Sequence, residues 1–175
     1  MTGKEYYHDR VVTFLVMCSC VWAIAGMAAG VVLMNRDRDN FPLCLQLLLY
    51  PMIDNLHATP SGKVTNHPVW KQETSFNAWE MYLDGTPGED ASPYAAATRA
   101  TDLSGLPPAY VCVGTADLFC DEDIEYAQRL MDAHVPTELA VFPGLYHAAE
   151  SFVPDARISL RITASFLLAL DHALA

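Results

Sequence analysis

"AYVCVGTADLFCDEDIEYAQRLMDAHVPTELAVF" (109–142) decides the fold. It begins with an unbroken apolar run, 109–115, introduced by Gly-Leu-Pro-Pro. It ends with a second run, 137–143, that stops at Pro143. Short runs of this kind read as strands covered on both faces. Between them "DEDIEYAQRLMDAH" (121–134) sets Ile124, Ala127 and Met131 at helical spacing. Its acidic residues crowd the first turn, where the helix dipole favours them. A strand, a helix of this length and a second strand predict parallel pairing.

The pattern extends in both directions. "LCLQLLLYP" (43–51) is a further buried strand, and Asp155 to Leu174 is an amphipathic helix with Ile158, Ile162 and Phe166 on one face. "RVVTFLVM" (10–17) reads as an earlier strand, with residues 22–38 as the helix after it. The expectation is an α/β fold, a mainly parallel sheet of about four strands flanked by helices. Residues 53–105 are rich in Pro, Gly, Ser, Thr and Asn and form a long excursion over the sheet edge, with one helix at 72–83. A connection this long and irregular is usually functional. No internal repeat or low-complexity tract divides the chain, so residues 1–175 read as a single partial domain.

Composition narrows the function. An apolar fraction of 52% and a charged fraction of 18% describe a globular chain. A formal charge of −11 excludes a nucleic-acid partner, because displacing counterions from a phosphate backbone takes Lys and Arg. Cys18, Cys20, Cys44, Cys112 and Cys120 are an odd count without CxxC spacing, which fits free thiols and a cytoplasmic location. No compact secretory signal opens the chain. Val11 to Asn35 lacks a charged side chain, and Gly26 and Gly30 form GxxxG, so a membrane-associated chain using residues 11–34 as a span is the alternative.

Two residues stand where open α/β sheets build sites, past the C-terminal ends of strands. Asp117 follows the 109–115 strand, and His147 lies in the loop after 137–143. A carboxylate that orients an imidazole, and an imidazole that takes a nucleophile's proton, are two parts of a hydrolytic relay. Each also has an ordinary reading: Asp117 as a turn cap, His147 as an exposed loop histidine.

"LQLLLYPMID" (45–54), "SPYAAATRATDLSGLPPAYVCVGTADLFCDEDIEYAQRLMDAHVPTELAVFPGLYH" (92–147) and the closing helix resemble the C-terminal portion of an alpha/beta hydrolase of the fold-3, hormone-sensitive-lipase-like carboxylesterase group. The likeness covers about two thirds of the chain. It implies Asp117 as catalytic acid, His147 as catalytic base, a small ester as substrate, and neither cofactor nor metal. It also implies a nucleophile on a G-x-S-x-G turn. Counting back from "NRDRDNFPLCLQ", that turn falls on "CVWAI" (20–24), with Trp22 in the place of the serine and Cys20 and Ile24 in the places of glycines. Counting forward from "DRVVTF" puts Met17 there instead. Cys18, Ser19 and Cys20 carry nucleophilic atoms and are the possible substitutes. "CSC" lacks the second His or Cys cluster of a metal site.

The resemblance also implies an HGGG-type oxyanion loop, and the ten residues before the first expected strand contain none. Losing an oxyanion donor costs roughly 10²–10³ in rate, and losing a triad nucleophile about 10⁶. The expectation is an esterase-like chain that is itself inactive, without the family's N-terminal strands and cap. "VVTFLVM" then forms an exposed apolar sheet edge, which invites self-association or membrane contact. A non-catalytic relic or interaction module is the competing reading.

Other residues carry weaker signals. Tyr50 and Asp54 follow a strand end and either shape a pocket or simply pack and cap. Trp70, Phe76, Trp79 and Tyr82 line the excursion, as acyl contacts or as packing. "DEDIE" (121–125) reads as a charged first turn in preference to a metal cluster.

Overall fold

A computed structural model describes residues 27–38, 41–85, 88 and 90–175. The expected first strand (10–17), Met17, Cys18, Ser19, Cys20, Trp22 and most of the 11–34 run lie outside the described residues. Helix α1 covers 27–38, the later part of the helix expected there. It is followed by β1 (Gln46–Leu49), α2 (Gln72–Leu83), β2 (Ala109–Gly114), α3 (Cys120–Asp132), β3 (Thr137–Phe142), the short α4 (Ala149–Phe152) and α5 (Arg157–Leu174).

Among the described residues one parallel sheet runs in the order β1-β2-β3. Its register aligns Leu48 with Val111 and Val111 with Leu139. The sheet is central at β2, where all six residues are buried. Alternate side chains feed two cores. Leu48, Ala109 and Val111 pack with Ala29, Val32 and Leu33 of α1 and with Tyr126, Ala127 and Leu130 of α3. Tyr110 and Cys112 pack on the other face with Ile162 and Ala169 of α5. Burial on both faces is why β2 contains no exposed polar alternation.

The helices differ from the sequence expectation in one respect. The face α3 buries holds Asp123, Tyr126, Ala127 and Leu130, whereas Ile124 is half-buried and Met131 is 37% exposed. The stripe Ile124–Ala127–Met131 is therefore rotated by about one residue. Two carboxylates, Glu122 and Asp123, go inside with it. In α5 the expected face holds: Ile162 is buried, Ile158 and Phe166 pack beside it, and the Tyr110 hydroxyl donates to Ser165 Oγ at 2.7 Å. No helix among the described residues is long and apolar enough to cross a membrane.

Two glycines permit close approach. A Cβ on Gly30 would meet the Tyr94 carbonyl oxygen at 2.0 Å, so α1 sits directly on the excursion. A Cβ on Gly114 would meet the Leu145 carbonyl oxygen at 2.0 Å, so the loop after β3 crosses the tip of β2.

Candidate active site

That crossing builds the site. The backbone amide of Thr115 donates to the Phe142 carbonyl at 3.0 Å, and that of Ala116 to the Leu145 carbonyl at 3.0 Å. The Gly144 amide donates to Thr115 Oγ1 at 2.9 Å. The loops leaving β2 and β3 are thus zipped together, with Asp117 on one and His147 on the other. Parallel neighbours place both loops at the same sheet edge, which is why residues 30 apart in sequence meet.

His147 Nδ1 lies 3.0 Å from Asp117 Oδ2, and both residues are buried. The second carboxylate oxygen, Oδ1, accepts the Phe119 amide at 3.1 Å, a local turn that holds the aspartate in one orientation. With Nδ1–H given to the carboxylate, Nε2 is the acceptor nitrogen of the neutral ring, the tautomer a general base needs. Among the described residues, Tyr50, Phe119 and Trp70 bring aromatic rings to the imidazole. Tyr50 meets it edge-on with centroids 4.7 Å apart, Phe119 edge-on at 5.2 Å, and Trp70 tilted at 5.8 Å. They form an apolar, water-excluding wall in which a fixed charge acts strongly.

The structure joins Asp117 and His147, and both are buried where the ordinary readings expected a simple cap and an exposed loop histidine. The nucleophile position Trp22 and the substitutes Ser19 and Cys20 lie outside the described residues. Of the described cysteines, Cys44 is exposed while Cys112 and Cys120 are buried free thiols. Burial pushes Cys112 up to about 12 and Cys120 up to about 11, where neither ionises as a nucleophile near neutrality. Among the described residues no group of three or more His, Cys, Asp or Glu side chains is placed to hold a metal.

The remaining candidates divide. Tyr50 reaches His147 and Asp54 does not: Asp54 pairs with Arg99 at 2.6 Å and accepts the amides of Leu56 and Ala58, a structural knot. Of the excursion aromatics Trp70 alone touches the imidazole, and Trp79 is buried beside Tyr82. Phe76 packs on His57.

Sequence reasoning missed Phe119 and Glu150. Phe119 sits two residues past Asp117, and Glu150 three past His147, an i,i+3 relation that a turn after the histidine brings round. It also missed the buried pair His57–Glu122, with Nδ1 and Oε2 3.5 Å apart. Glu122 Oε1 accepts the amides of Ile53 and Asp54 at 3.2 Å each, and burial pushes its carboxyl up to about 7.

Residues 24–151 match the alpha/beta hydrolase fold family. Carboxylesterase NlhH of Mycobacterium tuberculosis is 31% identical over 163 residues, which are 87% of this chain and 50% of that protein. Among solved structures a bacterial heroin esterase superposes with a TM-score of 0.81 at 39% identity, over 86% of this chain and 49% of the other. Esterase LipW from Mycobacterium marinum superposes with a TM-score of 0.77 at 34% identity, over 86% and 48%. The chain spans about half the length of the curated relatives it matches. With a parallel sheet, helices on both faces and these relatives, the chain belongs to the alpha/beta hydrolase fold family, in its hormone-sensitive-lipase-like esterase group.

Proposed function

We propose that this chain carries the acid–base half of a carboxylic ester hydrolase, with His147 as general base and Asp117 as the acid that orients it, and that by itself it does not turn over esters. The observation that carries the reading is the 3.0 Å contact between His147 Nδ1 and Asp117 Oδ2 at two neighbouring strand tips. In a complete relay the base takes the proton of an attacking hydroxyl, the carboxylate stabilises the imidazolium, and the base returns the proton to the leaving alcohol. The position assigned to the hydroxyl holds Trp22, whose indole has no nucleophilic atom. The substrate class is a carboxylic ester, as the names of the relatives indicate for those proteins.

Two pairs of proteins test this with p-nitrophenyl butyrate. The chain and its His147→Ala variant should hydrolyse it at the same background rate. A C20G/W22S/I24G variant, which rebuilds the nucleophile turn, should hydrolyse it faster than the same variant with His147→Ala. General base catalysis sets the expected margin at roughly 10²-fold or less without an oxyanion loop. A parent chain clearly faster than His147→Ala contradicts the inactivity. A rebuilt chain indifferent to His147 contradicts the relay.

A further inference from the structure

Tyr50 is the first residue after β1, and its backbone is left-handed, φ 38°. That conformation is strained for an L-residue other than glycine, and strain of this kind collects at functional sites. The Tyr50 amide donates to the Cys112 carbonyl at 2.7 Å, so the strained residue is pinned to β2. Its side chain turns inward, 7% exposed, and its hydroxyl donates to Glu150 Oε1. The same ring meets the His147 imidazole in a T-shaped contact.

Glu150 leaves the same turn as His147. Ala148 between them is left-handed at φ 53°, and the Ala149 amide closes the turn on the Tyr146 carbonyl at 3.2 Å. Glu150 Oε2 is buried without a hydrogen-bond partner. A Phe–Leu contact would fill this space without a strained backbone or a carboxylate oxygen shut off from water, and the Tyr50 ring that this carboxylate engages stands against the imidazole.

We propose that Tyr50 and Glu150 are positioning residues: the phenol bridges β1 to the turn bearing His147 and holds the imidazole in the rotamer that faces Asp117. Tyr50 supports the ring by direct contact, and Glu150 fixes the phenol from the turn that bears His147. This rests on the relay reading above.

The test follows the His147 ring proton by NMR in the full chain labelled in histidine, assigned by its loss in His147→Ala. In the parent chain that proton is shared with Asp117, resonates far downfield and exchanges slowly with water. Tyr50→Phe, which keeps the ring and removes the hydroxyl, should speed its exchange about fivefold to tenfold, the worth of one hydrogen bond. Glu150→Ala should do the same, while Glu150→Gln, which still accepts from the phenol, should stay near the parent rate. A purely structural role predicts no change in variants whose near-ultraviolet spectrum is native. If Tyr50→Phe fails to fold, the Glu150→Ala and Glu150→Gln comparison decides. Parent-like exchange in Glu150→Ala overturns the positioning role, provided Asp117→Asn abolishes the signal. A signal indifferent to Asp117→Asn counts instead against the relay.

Discussion

Two imidazole–carboxylate pairs share one phenylalanine. Phe119 stacks on His57 at 6.0 Å and meets His147 edge-on at 5.2 Å. His147 and Asp117 are 3.0 Å apart and hydrogen-bonded, and the aspartate's other oxygen takes one amide. His57 and Glu122 are 3.5 Å apart, beyond a normal hydrogen bond, and both His57 nitrogens lack a hydrogen-bond partner. Glu122 instead spends one oxygen on two backbone amides at the exit of β1, stapling that exit to α3. The same two functional groups therefore do different work. At the strand tips the carboxylate holds an imidazole, the pairing the proposed relay needs; below them it closes a backbone turn.

The difference can be broken most visibly at the staple. Glu122→Ala orphans two buried amides, at about 1–3 kcal/mol each. A loss of about 2–5 kcal/mol is expected in urea denaturation at pH 5, larger than that of His147→Ala, which orphans one carboxylate oxygen, Asp117 Oδ2, and no amide. Equal losses would show that both pairs serve the fold.

The second effect is a pH dependence. Burial holds the Glu122 carboxyl up at about 7 and the Asp123 carboxyl well above its ordinary 3.8, with Glu122's charge adding to the latter. A raised carboxyl favours folding when protonated. The stability from Glu122 is therefore full below its ordinary value near 4.5 and lost as pH rises through about 7. At about 1.4 kcal/mol per pH unit the loss amounts to a few kcal/mol. Denaturation midpoints should fall between pH 5 and 8. Glu122→Gln, which keeps an acceptor for both amides, should flatten the curve, and Asp123→Asn should flatten it further. A curve unchanged in both variants would place the titration elsewhere.

The smallest effect belongs to the turn that follows His147. Ala148 occupies φ 53°, a conformation that glycine adopts freely. Relief of about 1–2 kcal/mol, less the entropy glycine adds to the unfolded chain, leaves Ala148→Gly more stable by up to about 1 kcal/mol. The thermal midpoint should rise slightly. A fall would mean that the methyl packing at this 1% exposed position outweighs the strain.

The fold was legible because its signals are local. Apolar runs bounded by proline gave β1, β2 and β3 to within three residues at either end, and the turn residues around 72–83 left a helix with bounds that match α2. Asp117 and His147 were legible because parallel strands put their C-terminal loops at one edge. What sequence could not reveal depends on contacts between distant segments. Tyr50 and Glu150 are 100 residues apart, and nothing in either neighbourhood encodes the other. Glu122 and Asp123 misled for a physical reason: acidic residues in a first helical turn normally face water, and here Tyr126 and Leu130 rotate that turn inward.

Everything proposed for this chain requires Asp117 and His147 to stand as a formed carboxylate–imidazole pair. A crystal structure of the chain at near-neutral pH tests it most directly. His147 Nδ1 is expected within about 3 Å of Asp117 Oδ2, with the Phe119 amide on Oδ1. Side chains separated beyond about 4 Å, or His147 turned out to solvent, would contradict it.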